Sequence, residues 1–174
     1  MEKLSKNKLY FIIVAAIAAL ALILVVITST ITFNNAKQAI SNIGVVSYSE
    51  KSKEKIDDAQ LKFDQFQSTL GASTTFKVVN QNVGEENLQK AKTSYAEAAI
   101  RDVNNKYIAG ASEDEVKAEL QTIRTTIDAY FANKDYSSIS NYATFTSLEI
   151  KYGAGATNES SGSEGGAAEE PEIC

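Results

Sequence analysis

No histidine and no tryptophan occur in the chain, and cysteine, methionine and proline occur once each. Histidine is the side chain that most often serves as general base and metal ligand, so its absence removes the commonest routes to both. A single cysteine excludes an internal disulfide and any cysteine-based metal cluster. Carboxylates alone would have to carry any catalysis. Asp57 and Asp58 are adjacent, so on a helix they point about 100° apart and cannot share a site. Ser112-Glu113-Asp114-Glu115 has the composition of a calcium loop but lacks its alternating oxygen ligands and closing carboxylate. A helix capping box explains that stretch better. The folded part has no glycine-rich phosphate loop either. The reading is therefore a protein that is not an enzyme, with no catalytic residue, no cofactor and no metal site.

A basic excess is also missing. Net charge is −5, from 22 acids and 17 bases. Five of those acids, Glu159, Glu164, Glu169, Glu170 and Glu172, lie in residues 153–174 with no base among them. The rest of the chain balances at 17 acids against 17 bases. So even a mixture leaves no electrostatic footprint for nucleic acid.

What the chain does have is one long apolar run. Leu9–Ile27, LYFIIVAAIAALALILVVI, is nineteen residues without a charge. As a helix it measures about 29 Å, the hydrocarbon thickness of a bilayer. Lys3, Lys6 and Lys8 precede it and only Lys37 follows closely, which by the positive-inside rule keeps the N-terminus in the cytoplasm. A cleaved secretory signal is the competing reading. Its apolar core usually spans about 7–15 residues, and Thr28-Ser29-Thr30 makes a poor cleavage site. Either way the body lies outside the cytoplasm. Tyr10 and Phe11 on one side, and Phe33 on the other, suit membrane-interface anchors.

Residues 36–152 contain four glycines and no proline. Gly44, Gly71, Gly84 and Gly110 fall where the apolar periodicity breaks, as helix punctuation does. Ile56, Ala59, Phe63, Phe66 and Leu70 step by three or four and mark one helix face. Leu88, Ala91, Tyr95, Ala98, Val103 and Tyr107 mark a second. Val116, Leu120, Ile123, Ile127 and Tyr130 mark a third. A shorter fourth helix, from near Asp135, carries Ile139, Tyr142, Phe145, Leu148 and Tyr152. Ser47-x-x-Glu50 and Ser112-x-x-Glu115 read as capping boxes. Acids precede bases by four residues at Asp58/Lys62, Glu86/Lys90, Glu97/Arg101, Asp102/Lys106 and Glu113/Lys117, the order expected of solvated helix faces. No glycine or proline intervenes before Gly44, so the membrane helix is expected to run on into the body as one rod. Residues 72–83, ASTTFKVVNQNV, read as a loop that packs Phe76 and Val79 onto the bundle, with a short strand as the alternative. The tail is rich in Gly, Ser, Ala and Glu and has no core-forming content.

The fold class expected is thus all-α. It comprises a cytoplasmic N-terminus (1–8), a transmembrane signal-anchor helix (9–31), an extracytoplasmic bundle of about four helices (36–152) and a disordered acidic tail (153–174). Most tyrosines and phenylalanines sit on the apolar stripes. Tyr48 and Tyr136 lie at helix starts, off the stripes, and are the candidates for surface contact. Cys174 is either an inert tail residue or the partner in an intermolecular disulfide.

Ala36-x-x-x-Ile40-x-x-Ile43-Gly44-x-Val46, followed by Ser52-x-x-x-Ile56-x-x-Ala59-x-x-x-Phe63-Asp64, resembles a three-helix module of Gram-positive bacterial membrane-anchored surface proteins. The third helix of that module is matched by Leu88-x-x-Ala91-x-x-x-Tyr95, and its spacing again by Asn141-x-x-x-Phe145-x-x-Leu148-x-x-x-Tyr152. The resemblance covers roughly residues 36–95 and implies a spacer, display or interaction role at a bacterial cell surface. The function expected is a single-pass, membrane-anchored, non-catalytic interaction or scaffold protein of the envelope, with the lipid bilayer and a protein partner as its contacts. The alternatives are an envelope sensor signalling through a membrane partner, and a pilus-like or secretion-system subunit assembling through the apolar helix.

Overall fold

The computed structural model describes residues 6–69 and 84–154. Leu70, the stretch 72–83 with Phe76 and Val79, and the tail from 155 on, including Cys174, lie outside the described residues. The described part is all-helical, without a strand: α1 Lys6–Ser41, α2 Glu50–Gln67, α3 Glu85–Ile108, α4 Glu113–Tyr130 and α5 Tyr142–Tyr152, with a 3-10 turn at Ala132–Lys134.

α1 is a single helix of 36 residues, so the apolar run does continue into the body without a break. It is long and apolar enough to cross a membrane, and no part of the apolar window of this N-terminal helix is buried inside the fold. Leu9, Phe11, Ile17, Leu20 and Leu24 are all more than half exposed. Further on, the helix becomes one-sided. Ser29, Ala36, Ile40 and Ile43 are buried and Phe33 half-buried, a stripe stepping by three, four and seven residues. Thr28, Thr30 and Thr32 turn their hydroxyls back onto the carbonyls of Leu24, Val26 and Thr28, at 2.8, 2.8 and 2.9 Å. That bond lets a hydroxyl sit on an apolar helix without an unsatisfied donor.

The chain reverses at Gly44, whose φ of +67° lies in the left-handed region that favours glycine. α2 then runs back along α1: Lys55 reaches the Ile43 carbonyl near the turn, and Phe33 meets Phe66 edge to face at 5.5 Å at the far end. Phe33, expected as an interface anchor, therefore packs on the bundle, because α2 returns far enough to cover it. The cap of α2 also differs from expectation. Ser49, with its side chain accepting from the Ser52 amide, is the N-cap. Ser47 stands two residues upstream in a hydroxyl cluster with Ser49 and Ser52. Serines alternate here, and the one followed directly by the first helical residue takes the cap.

α3 is shared between two groups of helices. Its first half packs on α2, with Lys92 donating to Gln60. Its second half packs on α4 and α5, with Lys106 bonded to Glu119 at 2.7 Å and Tyr107 against Tyr152 at 5.9 Å. α4 begins with the expected capping box, Ser112 and Glu115 each bonding the other's backbone amide. The last helix begins later than its periodicity predicts. Asn133 and Lys134 take positive φ, which ends the helical path, and residues 135–141 form turns. Ile139 is buried from within those turns, so its apolar spacing mimics a helix that starts at Tyr142. The core is continuous and includes Phe66, Phe145, Ile56, Ile100, Leu120, Ile123 and Ile127, each below 2 % exposure. Most of its members are residues of the sequence stripes, joined among others by Ala39, Ala96, Ala99, Ile100, Phe131 and Ala154.

Candidate functional site

The N-terminus of α2, the middle of α3 and the second half of α4 converge on one cleft of about 340 Å³. That is the small end of the range for ligand sites, enough for one small molecule or one side chain of a partner. The segment before α2 supplies Tyr48, α3 supplies Tyr95, Ala96 and Ala99, and α4 supplies Ile123, Ile127 and Tyr130. The cleft exists because α3 presents alanines where larger side chains would fill the gap. Its rim is polar: Ser49, Glu50, Lys53, Thr122 and Thr126.

Three tyrosines form a continuous aromatic wall. Tyr48 meets Tyr95 edge to face at 5.6 Å, and Tyr95 meets Tyr130 in the same manner at 6.0 Å. The Tyr130 hydroxyl donates to Asp57 Oδ1 at 2.9 Å, and Lys53 Nζ holds Asp57 Oδ2 at 2.6 Å. Burial, then the bond to Asp57, pushes the Tyr130 phenol well above its ordinary range. Tyr95 is 5 % exposed, and its phenol is pushed up to about 12 by burial first and by the nearby Tyr48, Glu50 and Asp57. Tyr48 is raised by burial and by Glu119 beyond it. All three phenols are therefore neutral hydroxyls near neutral pH. Among the described residues the Tyr95 hydroxyl has no hydrogen-bond partner.

No protein-family model, curated protein or solved structure matches this chain. The site must be judged by its own chemistry. Among the described residues no three carboxylate, histidine or cysteine side chains converge as a metal would need.

A second cluster fastens α5. Arg124 on α4 donates through Nε to Glu149 Oε1 at 2.8 Å, through Nη2 to Glu149 Oε2, and through Nη1 to the Tyr142 hydroxyl at 2.7 Å. Glu149 is 3 % exposed, so this is a buried, bidentate ion pair. The guanidinium also lies 4.8 Å from the Phe145 ring centre. Tyr136 stacks on Tyr142 at 4.5 Å and donates to Asp128 at 2.6 Å. Burial and that bond push its phenol up to about 12.

Tyr48 and Tyr136 are thus both half-buried: Tyr48 walls the cleft, and Tyr136 belongs to the Arg124 cluster and not to the cleft. Cys174 lies outside the described residues. Sequence reasoning placed Tyr95 and Tyr130 on core stripes and assigned the charges to solvated faces. It missed Arg124, Glu149 and Lys92. The available signal was register: Glu149 follows Phe145 by four, and Lys92 follows Leu88 by four, which puts both on buried faces. Of the expected four-residue ion pairs, Asp58/Lys62, Glu86/Lys90 and Asp102/Lys106 form at 2.8, 2.6 and 3.1 Å. Glu97 instead accepts from the amide and hydroxyl of Ser140, tying α3 to the turn before α5.

Proposed function

We propose that the chain is a single-pass, membrane-anchored, non-catalytic interaction or scaffold protein, its helical bundle displayed outside the cytoplasm of a bacterial, Gram-positive cell. The observation that carries this reading is α1. One uninterrupted helix is exposed and apolar over Leu9–Ile27, and then one-sided from Ser29 where α2 comes back to meet it. A bundle attached in this way stands directly on the surface of whatever encloses the apolar half. The three lysines before the run support an N-terminus on the cytoplasmic side. The cleft, with neutral tyrosines and no acid–base pair of matched groups, suits binding more than chemistry.

The test replaces Cys174 with serine and introduces single cysteines by Val45→Cys, which is 95 % exposed, or Leu20→Cys. A membrane-impermeant maleimide added to intact cells should label position 45 and spare position 20. Labelling of position 45 only after permeabilisation overturns the orientation. Crosslinking in the native membrane should enrich a specific protein. Enrichment of abundant neighbours alone would count against the interaction role. A sensor signalling through a membrane partner is the second reading, favoured by the rigid continuity of α1 with the bundle.

A further inference from the structure

The chemistry of the cleft specifies its ligand more narrowly. Its polar groups are largely engaged with one another, and what they leave free is lopsided. Lys53 gives one N–H, and Tyr130 its hydroxyl proton, to Asp57. The Thr122 and Thr126 hydroxyls donate to the carbonyls of Ala118 and Thr122, each at 3.1 Å, so each turns only lone pairs outward. Ser49 accepts from the Ser52 amide and donates to the Ser52 hydroxyl. Glu50, at the rim, has no hydrogen-bond or ion-pair partner among the described residues. The Tyr95 hydroxyl, on a side chain 95 % buried, has none either. The free acceptors are one carboxylate, two threonine oxygens and the Tyr95 phenol oxygen, against the Tyr95 O–H and the N–H groups that Lys53 keeps. Asp57, outside the lining, pairs with Lys53, which leaves Glu50 as the lining's unpaired carboxylate. Below them, Ala96, Ala99, Ile123 and Ile127 make an apolar floor.

We propose that this cleft binds a primary alkylammonium group, with its –NH3⁺ among Glu50, the Tyr95 oxygen and the threonine oxygens, and its carbon stem on the alanine–isoleucine floor. Three N–H donors and no acceptor on the ligand complement three kinds of acceptor on the protein. The tyrosine wall adds the attraction of aromatic rings for a cation. A neutral alcohol of the same length fits the floor but brings one donor and no charge. The ammonium belongs either to a free small amine or to a lysine side chain on a peptide. This inference rests on the bundle alone and does not depend on which side of the membrane the bundle occupies.

The experiment uses the full-length chain in nanodiscs of phosphatidylglycerol, which carries no amine, with 13C-labelled tyrosine rings observed by NMR. n-Butylammonium should shift the Tyr48, Tyr95 and Tyr130 resonances saturably and leave Tyr107 and Tyr152 unmoved, while n-butanol should do so at least fivefold more weakly. Glu50→Gln and Tyr95→Phe, each checked for unchanged helicity, should weaken butylammonium about fivefold, the loss expected for one hydrogen bond. Ala99→Leu should block it by filling the floor. Tighter binding of Nα-acetyl-lysine methylamide than of butylammonium assigns a peptide as the source; the reverse order assigns a free amine. Equal responses to butanol and butylammonium overturn the proposal in favour of a merely apolar pocket. N-acetylglucosamine engaging the same tyrosines where butylammonium does not, or no shift with any amine, also overturns it.

Discussion

Removing Arg124 should damage the bundle more than removing its partner, and the reason lies in what each leaves behind. Arg124→Met deletes the donors that hold both oxygens of Glu149, a side chain only 4 % exposed. A carboxylate stranded there costs about 3–5 kcal/mol, a large share of the roughly 5–15 kcal/mol that stabilises a domain. Glu149→Leu strands the guanidinium instead. That group keeps the Tyr142 hydroxyl at 2.7 Å and Asp128 at 3.7 Å, and its side chain is 22 % exposed. The expected cost is therefore smaller, about 2 kcal/mol. The double variant, Arg124→Met with Glu149→Leu, removes both charges and retains apolar bulk, and should lie within about 1.5 kcal/mol of the parent. Urea unfolding of the full-length chain in detergent, followed by far-ultraviolet circular dichroism, gives all three values. Additive single and double values, or a cost at Glu149 equal to that at Arg124, would refute the reasoning.

Ser49→Ala should cost about 1 kcal/mol by uncapping α2, whereas Ser47→Ala should cost less than about 0.5 kcal/mol; equal losses in urea melts would return the cap to Ser47. Phe66→Ala, at a fully buried position, should cost about 3–5 kcal/mol by opening a cavity between α1 and α2, and a loss below about 1 kcal/mol would contradict that packing. Tyr95 titrates at about 12 when folded, above an ordinary value of about 10. Its folded-state pKa is raised, so its contribution is complete below pH ~10 and is lost as pH climbs towards ~12. The bundle should unfold over that window as phenolate absorbance appears, and Tyr95→Phe should move the midpoint upward. Titration of every tyrosine near pH 10 with helicity intact would contradict the burial.

The helices were legible because their faces obey one period. Val116, Leu120, Ile123, Ile127 and Tyr130 lie on the stripe their spacing predicts, and all are buried. The capping box at Ser112 was legible for the same reason, since both partners are three residues apart. What was not legible depends on contacts between distant segments. Arg124 and Glu149 are 25 residues apart on different helices, and no local rule pairs them. The start of α5 was missed because Ile139 is buried from turns that follow two positive-φ residues, Asn133 and Lys134, neither of them a glycine. The cleft needed three elements to be brought together: the turn before α2, the alanines of α3 and the threonines of α4. Its alanines read as ordinary helix formers until their neighbours are known.

The central claim is that α1 is one helix whose first half is enclosed by a bilayer and whose second half is bundle. Spin labels placed singly at Leu20, Ile27 and Lys37 in the full-length chain, reconstituted in vesicles, test it through relative accessibility to oxygen and to a water-soluble nickel chelate. The account predicts that oxygen dominates at position 20, that the two balance near position 27, and that nickel dominates at position 37. Nickel dominance at position 20, or loss of the N-terminal segment from the mature chain in the native membrane, would contradict it.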